Sequence, residues 1–317
     1  VLGPDDEPLF YYYVLRFVAD EMKRLASGST FDEISKSDFA EIVVPCPSLP
    51  EQRRTADVLD TVDAAIQETD TVIAKQEQIR TGLLQDLLTR GLDADGQLRD
   101  PEQNPEAFDQ INADTFAQEL FSRIPSSWDY APLNKCLIDF TGGATIRSSE
   151  YTERGFPVVS KGDVTESETI VLSDERQYVP EEIARKYKRS IATSEHIVVT
   201  LRDLVPAAPS LGMAAMIEGK ENYLIAQGAY GLQFDEGMLL PEFFVALTRI
   251  QLFRLYMRRM AVGSTQVHAR STEYREIYIP LPPLSEQTRL CLKSLNQPQS
   301  CTTGFDANTY ISVSQAC

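Results

Sequence analysis

One phrase of the sequence occurs twice, 235 residues apart, and it constrains the fold more than any other feature. Residues 28–52 read GSTFDEISKSDFAEIVVPCPSLPEQ, and residues 263–287 read GSTQVHARSTEYREIYIPLPPLSEQ, so the segments align without a gap. The GST triplet, a Glu-Ile pair, two prolines and the final Glu-Gln pair match in register. Such a period is too long for a solenoid or a propeller. We therefore expect a duplicated unit of domain size.

Each copy of the phrase predicts the same local structure. A basic amphipathic helix should end at Gly28 or Gly263, because glycine suits the position after a helix. A short strand, EIVVP or EIYIP, follows and is closed by proline. A new helix should then start near Glu51 or Glu286, since an acidic residue in the first turn favours the helix dipole.

The helix after the first copy is predicted to be long. Residues 51–90 contain one glycine, Gly82, and no proline. Apolar side chains recur at intervals of three and four, and forty residues would form a rod of roughly 60 Å. A lone helix cannot bury such a stripe, which predicts a coiled-coil spacer with a partner helix; an ordinary bundle helix is the alternative. The expected pairing residues are Leu59, Val62, Ile66, Ile73, Leu83 and Leu87.

The remaining segments differ in composition. Residues 91–122 are acidic and predict a connector, whereas residues 123–290 mix short strands, loops and a helix at 241–260, as an α/β or α+β domain would. Residues 291–317 hold three of the five cysteines and no heptad. This tail is expected to be aberrant or disordered.

The net charge of −17 is unevenly distributed, because residues 1–120 carry −15 of it. Two basic clusters lie in the nearly neutral remainder, and clustered cations attract phosphate even on an acidic protein. A solvated helix face is the alternative for either cluster. The residues of the clusters are Arg185, Lys186, Lys188 and Arg189 in the first, and Arg254, Arg258, Arg259, His268 and Arg270 in the second.

Several classes of protein are disfavoured by the sequence. No apolar run is long enough for a membrane span, and the acidic start VLGPDDEP leads us to expect no signal peptide. The chain does not begin with Met and is expected to be a fragment or a processed product. The cysteines form no C-x-x-C pair, which favours a reduced, cytoplasmic setting. Glycine-rich cofactor and nucleotide motifs are missing, which argues against a methyltransferase or an ATPase. No cofactor and no metal are expected.

The chain resembles the specificity (S) subunits of type I restriction-modification systems over residues 10–290. The likeness is carried by GSTFDEIS, VPCPSLPEQRRTADVLD and GLLQDLLTRG, and then by IPSSWDYAPL, TGGATIRSS, FPVVSKGDV, LIAQGAYGL, GSTQVHARS and IPLPPLSEQ. The resemblance implies two DNA-reading domains held apart by two antiparallel helices. In that scheme residues 1–50 are the end of a first target-recognition domain, and residues 123–290 are a second one. After Leu290 the family pattern is lost.

The resemblance implies a non-catalytic reader of double-stranded DNA with a bipartite target. The expected partners are methyltransferase subunits, two by the pseudo-twofold of the repeat, and restriction subunits through the complex. Because the second long helix is not evident, either self-association through the stripe or poor solubility is also expected.

Polar loop residues are the candidates for reading bases, because Arg pairs well with guanine and Gln with adenine. An exposed structural residue is the alternative for any one of them. Arg258 and Arg259 are assigned to phosphates. The candidate base readers are Thr145, Arg147, Lys161, Arg202, Gln227, Tyr230, Gln266, His268 and Arg270.

Two rival functions stay open at this point. Asp203, Glu218 and Lys220 could form a metal-dependent nuclease triad. The chain could also be a coiled-coil interaction protein whose globular part is structural.

Overall fold

The computed structural model describes residues 6–26, 33–111, 123–172 and 177–295. The chain divides into two compact units, Val1–Glu77 and Gln78–Cys317, and the long helix contributes to both.

The first unit is helical. Phe10 and Val14 are buried and pack with Ala56 in a small core. Arg16 Nη1 lies 2.7 Å from Asp63 Oδ2 and ties the first helix to the long one. The helices are α1 (Pro8–Phe17), α2 (Ala19–Leu25), α3 (Lys36–Ala40) and the first part of α4 (Leu49–Arg90).

Two details of the first copy of the repeat differ from expectation. Residues 42–48 form no strand, since no β-ladder joins them to another described segment. The basic helix α2 ends at Leu25, and the predicted cap at Gly28 lies outside the described residues.

The long helix confirms the prediction, because α4 runs for 42 residues without interruption. Most of its predicted stripe within the first unit faces solvent: Val62 is 50% exposed and Ile66 is 52% exposed. No helix among the described residues combines the length and the hydrophobicity needed to cross a bilayer.

The second unit contains two four-stranded sheets. The first sheet is antiparallel, and its strand order is β10 (Ala214–Met216), β8 (Ile197–Thr200), β12 (Ala229–Phe234) and β4 (Leu137–Gly142). The order in the second is β6 (Tyr178–Val179), β5 (Phe156–Val159), β11 (Tyr223–Ile225) and β7 (Ile191–Ala192). Only β5 and β11 pair in parallel within these sheets.

Three two-stranded ladders of described residues lie outside these two sheets. They join β1 (Phe108–Gln110) to β2 (Arg123–Pro125), β3 (Asp129–Pro132) to β14 (Tyr278–Leu281), and β9 (Arg202–Asp203) to β13 (Val267–His268). The second copy of the repeat thus has its predicted strand, because β14 finds β3 as a partner.

Helices cover the sheets and fill the main core. Phe243 and Phe244 are fully buried beside strand residues such as Leu232. The second unit's helices are α5 (Glu181–Lys186), α6 (Pro241–Leu247), α7 (Gln251–Met260), α8 (Ser271–Arg275) and α9 (Leu284–Leu295). Helix α9 continues past Leu290, where the sequence pattern was lost.

The helix predicted at 241–260 is divided in two. At the break, Thr248 Oγ1 accepts a hydrogen bond from Ala214 N at 3.2 Å, and Arg249 Nη1 donates to Ala214 O at 2.8 Å. The interruption therefore binds the edge strand β10, a contact that helical periodicity does not reveal.

A buried carboxylate anchors the end of α4. Glu286 accepts hydrogen bonds from Leu92 N at 2.9 Å, from Trp128 Nε1 at 3.1 Å and from Arg99 Nη1 at 2.6 Å. Gly91 has a φ of +65°, and a Cβ there would lie within 2.5 Å of Arg99, Trp128 and Glu286. We call this group of residues the α4 anchor.

The α4 anchor changes two expectations. Leu87 is 4% exposed and belongs to the main core, with Leu83 packed against it, so these two residues are not open to a partner helix. Part of the predicted connector is also folded, because Leu92 and Ile111 are buried in the same core. Residues 112–122 lie outside the described part of the chain.

The internal duplication extends to individual hydrogen bonds. Gln52 accepts from Glu7 N at 2.9 Å and donates to Pro47 O at 3.0 Å. Its counterpart Gln287 accepts from Leu240 N and donates to Pro282 O, both at 2.8 Å. Glu7 and Leu240 each precede a helix that begins with proline. The predicted duplicated architecture is thereby confirmed.

Candidate nucleic-acid interface

Polar loops from both sheets meet at one end of the second unit. Strands β5 and β11 are parallel, so their carboxyl ends lie at the same edge. Ser160 and Lys161 follow β5, and Ala226 and Gln227 follow β11. Ala226 N donates to Val159 O at 2.8 Å and holds the two loops together.

The first sheet presents its loops at the same end. Strand β12 begins at Ala229, opposite Thr200 at the end of β8, and Tyr230 pairs with Gly142 at the end of β4. The loop that follows β4 turns onto the second sheet, where Ala144 N donates to Ile225 O at 2.8 Å.

A fifth loop is brought in by β13. His268 pairs with Arg202 across the ladder, and Ala269 N donates to Leu201 O at 3.0 Å. The loop edge, as we call this surface, comprises residues 143–147, 160–163, 201–203, 226–230 and 264–270. It brings together all nine candidate base readers predicted from the sequence.

Glycine permits two close approaches at the loop edge. A Cβ on Gly143 would lie 2.1 Å from Ala226 O, which no side chain could accept. Gly228 has a φ of +97° and packs against the Arg202 side chain. The loops can therefore meet only because glycine occupies these positions.

The candidate residues differ in how freely they are presented. Arg147, Gln227, Gln266 and His268 are exposed, and so is Thr145. Lys161 and Arg202 are half-buried near each other.

Two candidates have partners within the protein. The Tyr230 ring packs on Phe140, with ring centroids 5.2 Å apart. Arg270 pairs with Glu273 at 2.5 Å. Both residues would have to give up or share these contacts in order to bind DNA.

The electrostatics favour an anion beside Lys161. Burial lowers the pKa of Lys161, and the charge of Arg202 lowers it further, while Asp203 opposes the shift. A bound phosphate would relieve the repulsion between the two cations.

The second basic cluster separates into two kinds of residue. Arg258 and Arg259 are exposed in the last turn of α7. Arg254 is 8% exposed, and its guanidinium donates to Leu211 O at 2.6 Å and to Ala208 O at 3.2 Å. Arg254 therefore supports the turn that follows β9, whereas the basic cluster of the sequence had grouped it with surface cations.

The nuclease triad is not supported by the environment of its residues. Asp203 accepts hydrogen bonds from Leu204 N, Val205 N and both Ser210 N and Oγ, so the turn occupies both of its oxygens. Burial disfavours its charge, but these hydrogen bonds prevail and hold the pKa of Asp203 below its usual value. Glu218 and Lys220 are exposed between β10 and β11. Within the described ranges, no three His, Cys, Asp or Glu side chains are grouped as metal ligands would be.

Sequence comparison assigns the family. The profile described as "Type I restriction modification DNA specificity domain" matches residues 2–77 and 132–291, which together make up most of the chain. The chain belongs to this family. Its two matched segments lie on either side of residues 78–131 and agree with the duplicated architecture.

Family relatives are distant in sequence. The type I restriction enzyme MjaVIII specificity subunit of Methanocaldococcus jannaschii is 22% identical over 293 residues, covering 92% of this chain and 64% of the relative. The EcoBI specificity subunit of Escherichia coli is 22% identical over 284 residues, covering 88% of this chain and 56% of the relative. The chain thus spans less than two thirds of the length of these two relatives.

A solved structure shares the fold. This structure comes from work on the complex assembly and conformational transition of the type I R-M system. It aligns with the present chain with a TM-score of 0.52 at 18% sequence identity. The alignment covers 92% of this chain and 63% of the other.

Proposed function

We propose that the protein is a sequence-specific DNA reader, the specificity component of a type I restriction-modification complex. The observation that carries the proposal is the loop edge, where five loops of a family-typical domain present cationic and amide side chains together. The protein itself would be non-catalytic and would work where the chromosome lies, in the cytoplasm.

We expect different residues of the loop edge to contact the bases and the phosphate groups. Arg147, Gln227 and Gln266 are exposed side chains of the kinds that read base edges, so we assign them to bases. Lys161 and Arg202 sit deeper as two adjacent cations, and we assign them to a phosphate group or to the bidentate recognition of guanine. Arg258 and Arg259 extend the basic surface along α7 as phosphate contacts.

We propose that α4 is the spacer between two reading domains. Residues 1–50 would be the end of the first domain, and residues 123–290 the core of the second. The exposed stripe, from Leu59 to Ile73, would pair with a second helix or with another copy of the chain. Two methyltransferase subunits, and restriction subunits through them, would assemble around this spacer.

Selection from a randomised duplex library tests the proposal. The full chain should enrich a defined sequence, and Arg202→Ala should lower affinity for the enriched duplex by about fivefold or more, since a bidentate base contact contributes about 1–3 kcal/mol. Lys135→Ala is the matched control, because Lys135 is exposed and lies before β4, at the far end of the strand from the loop edge. Failure to enrich any sequence, or equal effects of the two substitutions, would contradict the proposal.

A coiled-coil interaction protein is the second candidate function, and the exposed stripe of α4 favours it. Such a protein would associate through α4. It would bind duplex DNA only weakly, because the chain carries a net charge of −17. The library selection separates the two functions directly.

A further inference from the structure

A second group of cations lies beside the loop edge and is not used by the readout described above. Arg185, Lys186, Lys188 and Arg189 are all exposed, within helix α5 and the 3-10 turn that follows it. We call these four residues the α5 patch. Among the described residues, no carboxylate lies within ion-pair distance of Arg185, Lys188 or Arg189. Lys186 lies 4.0 Å from Glu150.

The α5 patch is packed directly against loop 143–147. Ala184 of α5 is buried with Ala144 and Ala226, and Ile146 and Tyr187 pack on the same small core. The helix and the loop therefore share one apolar cluster and should move together.

Two hydrogen bonds fix the patch to this loop and to strand β4, which leads into it. Tyr187 Oη donates to Thr145 O at 3.2 Å, and Thr141 Oγ1 donates to Arg189 O at 3.0 Å. Lys186 Nζ also lies 4.8 Å from the centroid of the Tyr187 ring. Tyr187 thus contacts a patch cation with its ring and the base-reading loop with its hydroxyl.

The sheet places the patch at the correct end of the domain. Strand β7 is antiparallel to β11, with Ile191 opposite Leu224 and Ala192 opposite Tyr223. The residues just before Ile191, which include Lys188 and Arg189, therefore lie toward the end where β11 runs into Gln227. The acidic residues Glu181 and Glu182 occupy the opposite end of α5.

We propose that the α5 patch is a second DNA-binding surface, which holds the phosphate backbone of the duplex next to the bases read by loop 143–147, and that Tyr187 is a positioning residue between the two. The inference rests on the proposed function and assigns part of the duplex contact to a segment outside the loop edge. The occupant is the phosphodiester backbone, because the patch offers exposed cations and lacks the amide groups that read bases.

A salt titration tests the patch. The full chain carrying Arg185→Ala, Lys188→Ala and Arg189→Ala together is compared with wild type for binding to a mixed-sequence 40-base-pair duplex. Each lost phosphate contact should reduce the slope of log affinity against log salt by about 0.9, so the slope should fall by roughly 2 to 3. Affinity should fall equally for the mixed-sequence duplex and for a duplex selected from a random library.

The control replaces two cations at the other end of the sheets. Lys135 precedes β4 and Lys220 precedes β11, and both are exposed. Lys135→Ala with Lys220→Ala should leave the salt slope unchanged. An unchanged slope in the triple variant, or an equal loss in the control, would overturn the assignment of the patch.

Tyr187→Phe tests the positioning role. It keeps the ring beside Lys186 and removes only the hydroxyl that holds Thr145 O. The expected result is a several-fold loss in the preference for the selected duplex over the mixed-sequence duplex, with the salt slope unchanged. If Tyr187→Phe leaves the preference for the selected duplex unaltered, whether or not the salt slope falls, the positioning role is contradicted.

The two proposals fail in different ways. If the wild-type chain selects no sequence and binds no duplex, the proposed function is wrong. If it binds and selects, but the triple variant and Tyr187→Phe behave as wild type, only the further inference is wrong.

Discussion

The substitution Gly91→Ala should lower the stability of the second unit far more than the position of Gly91, just after the end of α4, would indicate. Gly91 has a φ of +65°, which a non-glycine residue adopts at a cost of about 1 kcal/mol. The added Cβ would also lie 2.3 Å from Arg99 Nη1 and 2.5 Å from Glu286 Oε1. The buried pair between these two side chains would have to open.

The expected size of the effect follows from the burial of that pair. The Arg99 and Glu286 side chains are 17% and 4% exposed and lie 2.6 Å apart. Breaking a buried ion pair costs about 3–5 kcal/mol. Together with the backbone strain, Gly91→Ala should lower the free energy of unfolding of the second unit by about 4–6 kcal/mol.

Urea unfolding followed by tryptophan fluorescence measures this effect. Trp128 is the single tryptophan of the chain and donates its indole N–H to Glu286, so its emission reports on the α4 anchor. Gly82→Ala is the matched control, because nothing lies within 4 Å of its future Cβ. It should stabilise α4 by about 0.5–1 kcal/mol. If both substitutions shift stability in the same direction by similar amounts, the reasoning on the anchor is refuted.

Three further predictions each compare a buried residue with a similar residue that is exposed to solvent. In urea unfolding followed by far-UV circular dichroism, which reports on the helices of both units, Glu286→Gln should lower the unfolding free energy by about 3 kcal/mol, whereas Glu51→Gln, at the exposed counterpart in the repeat, should change it by less than about 0.5 kcal/mol. Leu87→Ala should lower it by about 2–5 kcal/mol, while Ile66→Ala should leave it nearly unchanged and weaken any self-association seen in sedimentation. Burial raises the pKa of Cys136 to about 11 and that of Cys291 to about 12. Among the cysteines that the structure describes, peptide mapping after alkylation at pH 8 should therefore find exposed Cys46 modified before Cys136 and Cys291, and equal rates at these three would contradict the burial.

Local sequence signals predicted the elements that depend on neighbouring residues. The sequence predicted the long helix, the duplicated phrase and the strand at Tyr278–Leu281. These features depend on periodicity, proline and β-branched residues, which influence the backbone over only a few positions. The equivalent first-copy segment failed as a strand since a strand also needs a partner, which only the fold supplies.

Features that depend on distant contacts were missed. Arg254 appeared to be one of several surface cations, yet three backbone carbonyls of residues 208–211 bind its guanidinium in the interior. The break between α6 and α7 and the burial of Leu87 likewise depend on residues far along the chain. Helical spacing assigned Leu83 and Leu87 to a pairing stripe because it cannot distinguish a partner helix from the domain's own core.

The candidate site was predictable as a set of residue types but not as a surface. The nine proposed base readers lie between Thr145 and Arg270, and no short-range pattern indicates that they converge. Their convergence follows from the parallel pairing of β5 with β11 and from the ladder between Arg202 and His268. The sequence likewise showed the α5 patch as a basic cluster, without its attachment to loop 143–147.

Photo-crosslinking of the full chain to a duplex substituted with 5-iodouracil tests the central claim most directly. The account predicts that crosslinked peptides, mapped by mass spectrometry, fall in residues 143–147, 160–163, 201–203, 226–230 and 264–270. Crosslinks concentrated near Lys135 and Lys220, at the other end of the sheets, or along the exposed stripe of α4, would contradict it.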